Sequence, residues 1–133
     1  MFEKNRWKKF WGLLLTTYSM ELYYYNAKLD RVLDGDTIDA MVDLGFDTWV
    51  HKRIRLFGIN CPETRTRNLE EKAKGIESKK YLEDLFLPTG GRFILQSLGV
   101  GKYGRCLGNI YIEKVNINEL LLKEGYAEPY IGK

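Results

Sequence analysis

The sequence predicts an α+β domain that is mainly β: a five-stranded Greek-key barrel with a helix inserted after the third strand and a short helix near the C-terminus. Three observations point there. Three β-rich runs follow one another before residue 60, separated only by glycine turns; the apolar period then changes from two to the helical value between residues 69 and 86; two further β-rich runs and a short helical run come after.

The first run, "ELYYYNAKLDRVL" at 21–33, is rich in strand formers and ends in an Asp-Gly turn. In the second, Ile38, Ala40, Val42 and Leu44 alternate with Asp39, Met41 and Asp43, so one face is expected in the core and the other in water. A hairpin loop around Gly45 leads to "WVHKRIRLFGI" at 49–59, where parity puts Arg53 and Arg55 on the solvated face, opposite Ile54 and Leu56. Between 69 and 86, Gly75, Ser78, Tyr81, Leu82 and Leu85 form a helical stripe whose small members allow close approach to a sheet, and Pro88 with Gly90-Gly91 ends the helix. "RFILQSL" and "CLGNIYI" read as strands four and five, and "NINELLLKEG" as a short helix capped by Asn116 or Asn118 and ended by Gly125. Trp49 and the tyrosines at 23–25 are expected in the core, with a base-stacking platform as the alternative, and His51 on a strand face. Five strands with this insertion describe an oligonucleotide-binding (OB) type barrel, although pattern alone leaves another small α+β arrangement open.

Length bounds the chain to one domain with a core of its own. The net charge of +3 resides wholly in residues 1–19, where Lys4, Arg6, Lys8 and Lys9 stand against Glu3; the remainder is neutral, so affinity for phosphate there must come from local clusters or a bound cation. Residues 1–19 read as an N-terminal extension to a domain spanning 20–133. Their apolar stretch, Phe10 to Leu15, is too short to cross a bilayer, and no small-residue cleavage site follows it. A cytoplasmic location is expected, or a secreted one if this segment acts as a signal. Two cysteines make no disulfide framework, and with one histidine they make no structural zinc site.

Candidate chemistry lies in three places. Asp34 and Asp36 flank Gly35, which can turn both carboxylates to one side as hard oxygen donors for Ca²⁺ or Mg²⁺. Asn60 offers an amide oxygen, the carbonyl of Cys61 stands before Pro62, and Glu63 follows that rigid corner, where it could take a proton from water. Arg55 and Arg105 offer guanidinium forks matched to phosphate, with Lys102 and Tyr103 beside the second. Each motif alone reads as readily as a turn, a corner or a surface arginine; their joint occurrence in order is what carries chemistry.

Asp-Gly-Asp-Thr at 34–37, Arg-Leu-x-x-Ile-Asn-x-Pro-Glu-Thr at 55–64 and Lys-Tyr-Gly-Arg at 102–105 together resemble the staphylococcal nuclease (thermonuclease) family, in its small phage- and bacteria-type form, from about residue 22 to about 127. The resemblance implies an OB barrel and a Ca²⁺-dependent phosphodiesterase that cuts DNA and RNA. It implies metal ligation by Asp36, the Cys61 carbonyl and Asn60, with Asp34 behind them. It makes Glu63 the general base or the group that positions water, makes Arg55 and Arg105 the clamp on the reacting phosphate, and sets Lys102 and Tyr103 on the neighbouring one. The sequence has Asn60 where the best-known member of the family has a second metal-binding aspartate. Weaker Ca²⁺ binding is therefore expected, offset in part by Asp34, with Mg²⁺ or Mn²⁺ as substitutes. It also carries Gly101 where an aspartate precedes the Lys-Tyr-Gly-Arg loop in that member, and with so few residues after Tyr130 a third helix is not expected. The expected partners are DNA and RNA as substrates, with no stable protein partner and no transmembrane segment. Two rivals remain at this stage: a catalytically weak or inactive OB-fold nucleic-acid-binding module, favoured by Asn60, and an interaction protein of unrelated small fold.

Overall fold

The computed structural model describes residues 22–131; the extension assigned to 1–19 lies outside them. Strand β1 (Tyr24–Asp34) pairs antiparallel with β2 (Thr37–Asp43), and β2 with β3 (Trp49–Leu56). After a two-residue strand β4 (Ile59–Asn60) and helix α1 (Leu69–Phe86), strand β5 (Arg92–Val100) returns beside β1 and leads into β6 (Cys106–Ile112). A parallel pairing of β6 with β3 closes the five-stranded barrel. Short strands β7 (Val115–Asn116) and β8 (Glu128–Pro129) flank helix α2 (Ile117–Lys123), and β8 pairs with β4. The OB barrel with two helices is thus the observed fold, and the unrelated-fold reading falls with it.

The barrel interior is filled by the predicted alternation. Ile38, Ala40 and Val42 of β2, Ile54 and Leu56 of β3, Leu95 of β5 and Ile110 of β6 are all buried. α1 seals one end with Leu82 and Phe86, whose ring meets Phe93 edge-on at 5.4 Å between centroids, and Tyr81 stacks on Tyr126 at 4.1 Å. Asn68 caps α1 by accepting from the backbone amides of Glu70 and Glu71. Asn116, not Asn118, caps α2, accepting from the Glu119 amide.

Several expectations are corrected. The third run breaks at a turn, Phe57-Gly58, and its last residues pair with β8 instead of extending β3. Trp49, Tyr23 and Tyr24 are exposed, because β3 begins at the hairpin loop and β1 at the barrel's margin. Leu44 is exposed as well, one residue past the end of β2. α1 does pack on the sheet, at β1, and the small members of its stripe admit two loops besides. A Cβ on Gly75 would stand 2.5 Å from the Glu63 carbonyl oxygen, and one on Gly35 would stand 2.8 Å from Ser78 Cβ. These two close approaches clamp the 60–64 corner and the 34–37 turn against one helix face.

Asp39 also departs from its pattern: on the outer face of β2 it is only 1% exposed. Arg31 from β1 and Arg53 from β3, its cross-strand neighbours on either side, donate to its carboxylate at 2.8–3.1 Å and cover it. The bonds from Arg53, more than those from Arg31, outweigh burial and lower its pKa from 3.8 to about 2. The unfolded chain therefore takes up this proton first on acidification. The stabilisation is complete above about pH 4 and fades as pH falls towards 2. Because both arginines are half-exposed, it amounts to about 1–2 kcal/mol. Urea unfolding should accordingly show native protein exceeding Asp39→Asn in stability at pH 6 by that much more than at pH 2.

Candidate active site

Barrel closure gathers the chemically suggestive residues at one rim. The parallel register sets Arg55 opposite Leu107 and Ile54 opposite Cys106, so Arg105, just before β6, lies at the same end of the barrel as Arg55. The 34–37 turn, the 60–63 corner and the 102–105 loop converge there on a cleft of about 250 Å³. Its lining includes every residue singled out above except Tyr103: Asp34, Asp36, Arg55, Asn60, Cys61, Glu63, Lys102 and Arg105.

Asp36 is buried, and both of its oxygens are held. Oδ1 accepts from the Thr37 hydroxyl at 2.9 Å and Oδ2 from the Cys61 amide at 2.8 Å, so this carboxylate ties the turn to the corner. Arg55 Nη1 stands 3.4 Å from Oδ2. Arg55 is not on a solvated face as parity suggested: its side chain is 12% exposed, because the corner folds back over it. Nη1 donates to the Leu56 carbonyl and Nη2 to Asn60 Oδ1, both at 3.2 Å, and the guanidinium lies over the Tyr130 ring at 5.6 Å. The Asn60 amide oxygen thus faces a cation in this arrangement.

Asp34 does not share its neighbour's partner. Its Oδ1 accepts from the Thr64 amide at 3.2 Å and the Thr64 hydroxyl at 2.6 Å, bracing the segment that carries Glu63. Gly35 therefore serves the closeness of α1 and Cys61, and the two carboxylates hold opposite ends of the corner. Glu63 itself is exposed at the cleft, with its main chain fixed on both sides. Cys61 is 3% exposed, and burial, reinforced by Asp36, pushes its thiol up to about 12, so it packs and does not act as a nucleophile.

In the 102–105 loop Arg105 Nε reaches the Lys102 carbonyl at 3.4 Å, and its guanidinium lies 5.9 Å from the Tyr103 ring. Tyr103 has φ +62° and is 94% exposed; it turns away from the cleft and lines a separate hollow with Arg53 and His51. The outward direction follows from that left-handed backbone, which no sequence period announces.

Sequence reasoning overlooked Tyr130, Thr64 and Asn118. Asn118 is buried, donates to the carbonyls of Phe57 and Gly108, and accepts from the Ile110 amide, fixing the turn beneath the cleft. Its only sequence signal was a polar residue on the apolar side of a short helix. Tyr130 follows the β4–β8 pairing, which two-residue strands do not advertise.

A closed five-stranded barrel bearing, at one rim, a polar cleft lined by both arginines and carboxylates defines an OB-type protein. The chain belongs to the family described as Staphylococcal nuclease homologue, whose model matches residues 53–132. Among curated relatives it is similar to endonuclease YncB of Bacillus subtilis, at 33% identity over 77% of this chain and 46% of that protein. It is also similar to a thermonuclease of Staphylococcus hyicus, at 30% over 75% and 56%, and to a micrococcal nuclease of Shigella flexneri, at 30% over 82% and 62%. The chain thus spans about half the length of the curated relatives it matches. Among the described residues no helix is long and apolar enough to cross a membrane.

Proposed function

We propose that the chain is a Ca²⁺-dependent nuclease that hydrolyses phosphodiester bonds of DNA and RNA by metal-assisted attack of water. The observation that carries this is the meeting, in one cleft, of two guanidinium groups, an exposed carboxylate behind a rigid corner, and several oxygen donors.

The donor set fits a hard divalent cation held with substrate. Asp36 would supply a carboxylate, Cys61 its peptide carbonyl and Asn60 its amide oxygen, all oxygen and all from residues lining the one cleft. Among the described residues no group of three or more acidic, histidine or cysteine side chains converges, which fits an ion completed by phosphate oxygens and water better than one caged by protein. Asp34 spends only Oδ1 on Thr64, so its carboxylate, lining the same cleft, would offset part of the missing charge. When bound, the ion would act as a Lewis acid on the phosphate.

Arg55 uses only part of its five-donor fork on Asp36, Asn60 and Leu56, so N–H groups remain for a phosphate oxygen. With Arg105, which lines the same cleft, it would hold the phosphate and stabilise the charge that grows as water adds. Glu63 is free to accept a proton from that water or to orient it. A neutral body makes affinity depend on these local groups.

Asn60 favours a second reading, a binding module with weak or no turnover, because its Oδ1 already accepts from Arg55. One assay separates the two. Labelled single-stranded and duplex DNA and RNA are incubated with the protein in Ca²⁺, Mg²⁺, Mn²⁺ or chelator. Cleavage that requires a divalent ion and stops in chelator is the expected result, and binding without cleavage in every condition would establish the module.

A further inference from the structure

Residues 128–130 form a strap that its own packing does not explain. After α2 the chain turns at Gly125 and buries Ala127, but Glu128 and Pro129, the two residues of β8, are both exposed. Ordering an exposed segment costs conformational entropy that so little apolar burial does not offset. Backbone bonds nevertheless fix it. Ile59 pairs with Pro129 and Asn60 with Glu128, and the Tyr130 amide donates to the Gly58 carbonyl at 2.9 Å. Asn118 donates to the neighbouring Phe57 carbonyl at 2.9 Å, so the turn that receives the strap is itself pinned. What the strap delivers is a side chain. Tyr130 is 41% exposed and lines the cleft, with its ring centre 5.6 Å from Arg55 Cζ.

Arg55 has need of such a neighbour. Its Nη1 donates to the Leu56 carbonyl and stands 3.4 Å from Asp36 Oδ2, a separation longer than a charge-assisted hydrogen bond. A guanidinium beside a buried carboxylate gains by closing into a two-bonded fork, and a modest tilt of its plane would achieve that here. The N–H groups left for a phosphate would then be committed to Asp36. The bond from Nη2 to Asn60 Oδ1 holds one edge of the plane, but an edge bond does not prevent tilting. A ring against the face does, and the same face attracts the cation.

We propose that Tyr130 is a positioning residue for Arg55: the strap carries its ring to the guanidinium face and keeps the free part of the fork turned to the cleft and away from Asp36. This deepens the nuclease reading and rests on it for the effect on turnover. The order of the Arg55 side chain, however, can be observed without any cleavage.

The test compares native protein with Tyr130→Leu, which removes the aromatic face, and Tyr130→Phe, which keeps it. With bis(p-nitrophenyl) phosphate in Ca²⁺, Tyr130→Leu is expected to lower kcat about tenfold and to leave KM within about twofold of native, because a misaligned donor weakens the transition state more than the ground state. Tyr130→Phe should recover most of that loss, since either ring attracts a cation. In chelator, the ¹⁵N NMR signal of Arg55 Nε–H, assigned by its disappearance in Arg55→Lys, should be sharp in native protein and in Tyr130→Phe and broadened in Tyr130→Leu. Thermal melting verifies folding, and Tyr130→Met replaces Tyr130→Leu should the latter not fold. Native kcat in Tyr130→Leu, or an Arg55 signal equally sharp in all three proteins, overturns the proposal. So does a loss confined to KM, which would make the ring a surface for substrate. If native protein cleaves neither this diester nor an oligonucleotide while the Arg55 signal behaves as stated, the positioning of Arg55 stands and the nuclease reading falls.

Discussion

Arg55→Ala is expected to lower kcat for oligonucleotide cleavage about 10²–10³-fold, the usual loss when one preorganised donor to a developing oxyanion is removed. The structure adds a second consequence that a surface arginine would not have. Arg55 is the cation beside the buried Asp36 carboxylate and also bonds Asn60 and the Leu56 carbonyl, with Tyr130 across its face. Its removal leaves a buried anion without its counter-charge, which should cost about 2–4 kcal/mol of stability. Arg55→Lys separates the two effects. A lysine keeps the charge near Asp36, so most of the stability should return, but it cannot reproduce a planar fork bonded on several sides, and most of the lost turnover should not. Urea midpoints and single-turnover cleavage on the same preparations check both. Full activity in Arg55→Lys would show that only charge is needed there and would remove the fork from the argument.

What could be read in advance, and what could not, divides by the range of the interactions. The alternation of Ile38, Ala40 and Val42 is local, and all three fill the barrel. The span of α1 is announced by its stripe and by Pro88 and the glycines beyond. Asp39 shows the opposite case. Its parity marks it as solvated, yet its cover comes from arginines 8 and 14 residues away, on two other strands. Trp49 and Tyr24 favour strands by propensity, but propensity does not say which face they occupy, and both are exposed. In the site, Asp34, Asp36, Asn60 and Glu63 could be singled out because each lies in a short motif. That Asp34 braces Thr64 while Asp36 anchors the Cys61 amide depends on a contact between segments about thirty residues apart, which spacing alone does not reveal. Tyr130 joins the cleft only through the two-residue pairing of β4 and β8.

Glu63→Gln should reduce kcat about 10²–10⁴-fold while leaving the unfolding midpoint within error. The side chain is exposed at the cleft, so exchanging carboxylate for amide removes proton acceptance and changes little else. The corner that carries it is another matter. The Glu63 carbonyl oxygen passes so close to Gly75 that a Cβ there would stand 2.5 Å away, and Thr64 is tied to Asp34. Gly75→Ala must therefore move the corner away from α1, although it leaves every cleft side chain in place chemically. If Glu63 acts as a positioned base, Gly75→Ala should lose about tenfold or more in kcat, since small misplacements of a catalytic group are costly, and the same substitution made on top of Glu63→Gln should lose little further. If the carboxylate contributed only a general negative field, a shift of the corner would scarcely matter and the two losses would multiply. The double-variant cycle, run with a small chromogenic diester to exclude strand binding, distinguishes a base held in register from an acid that merely lies nearby.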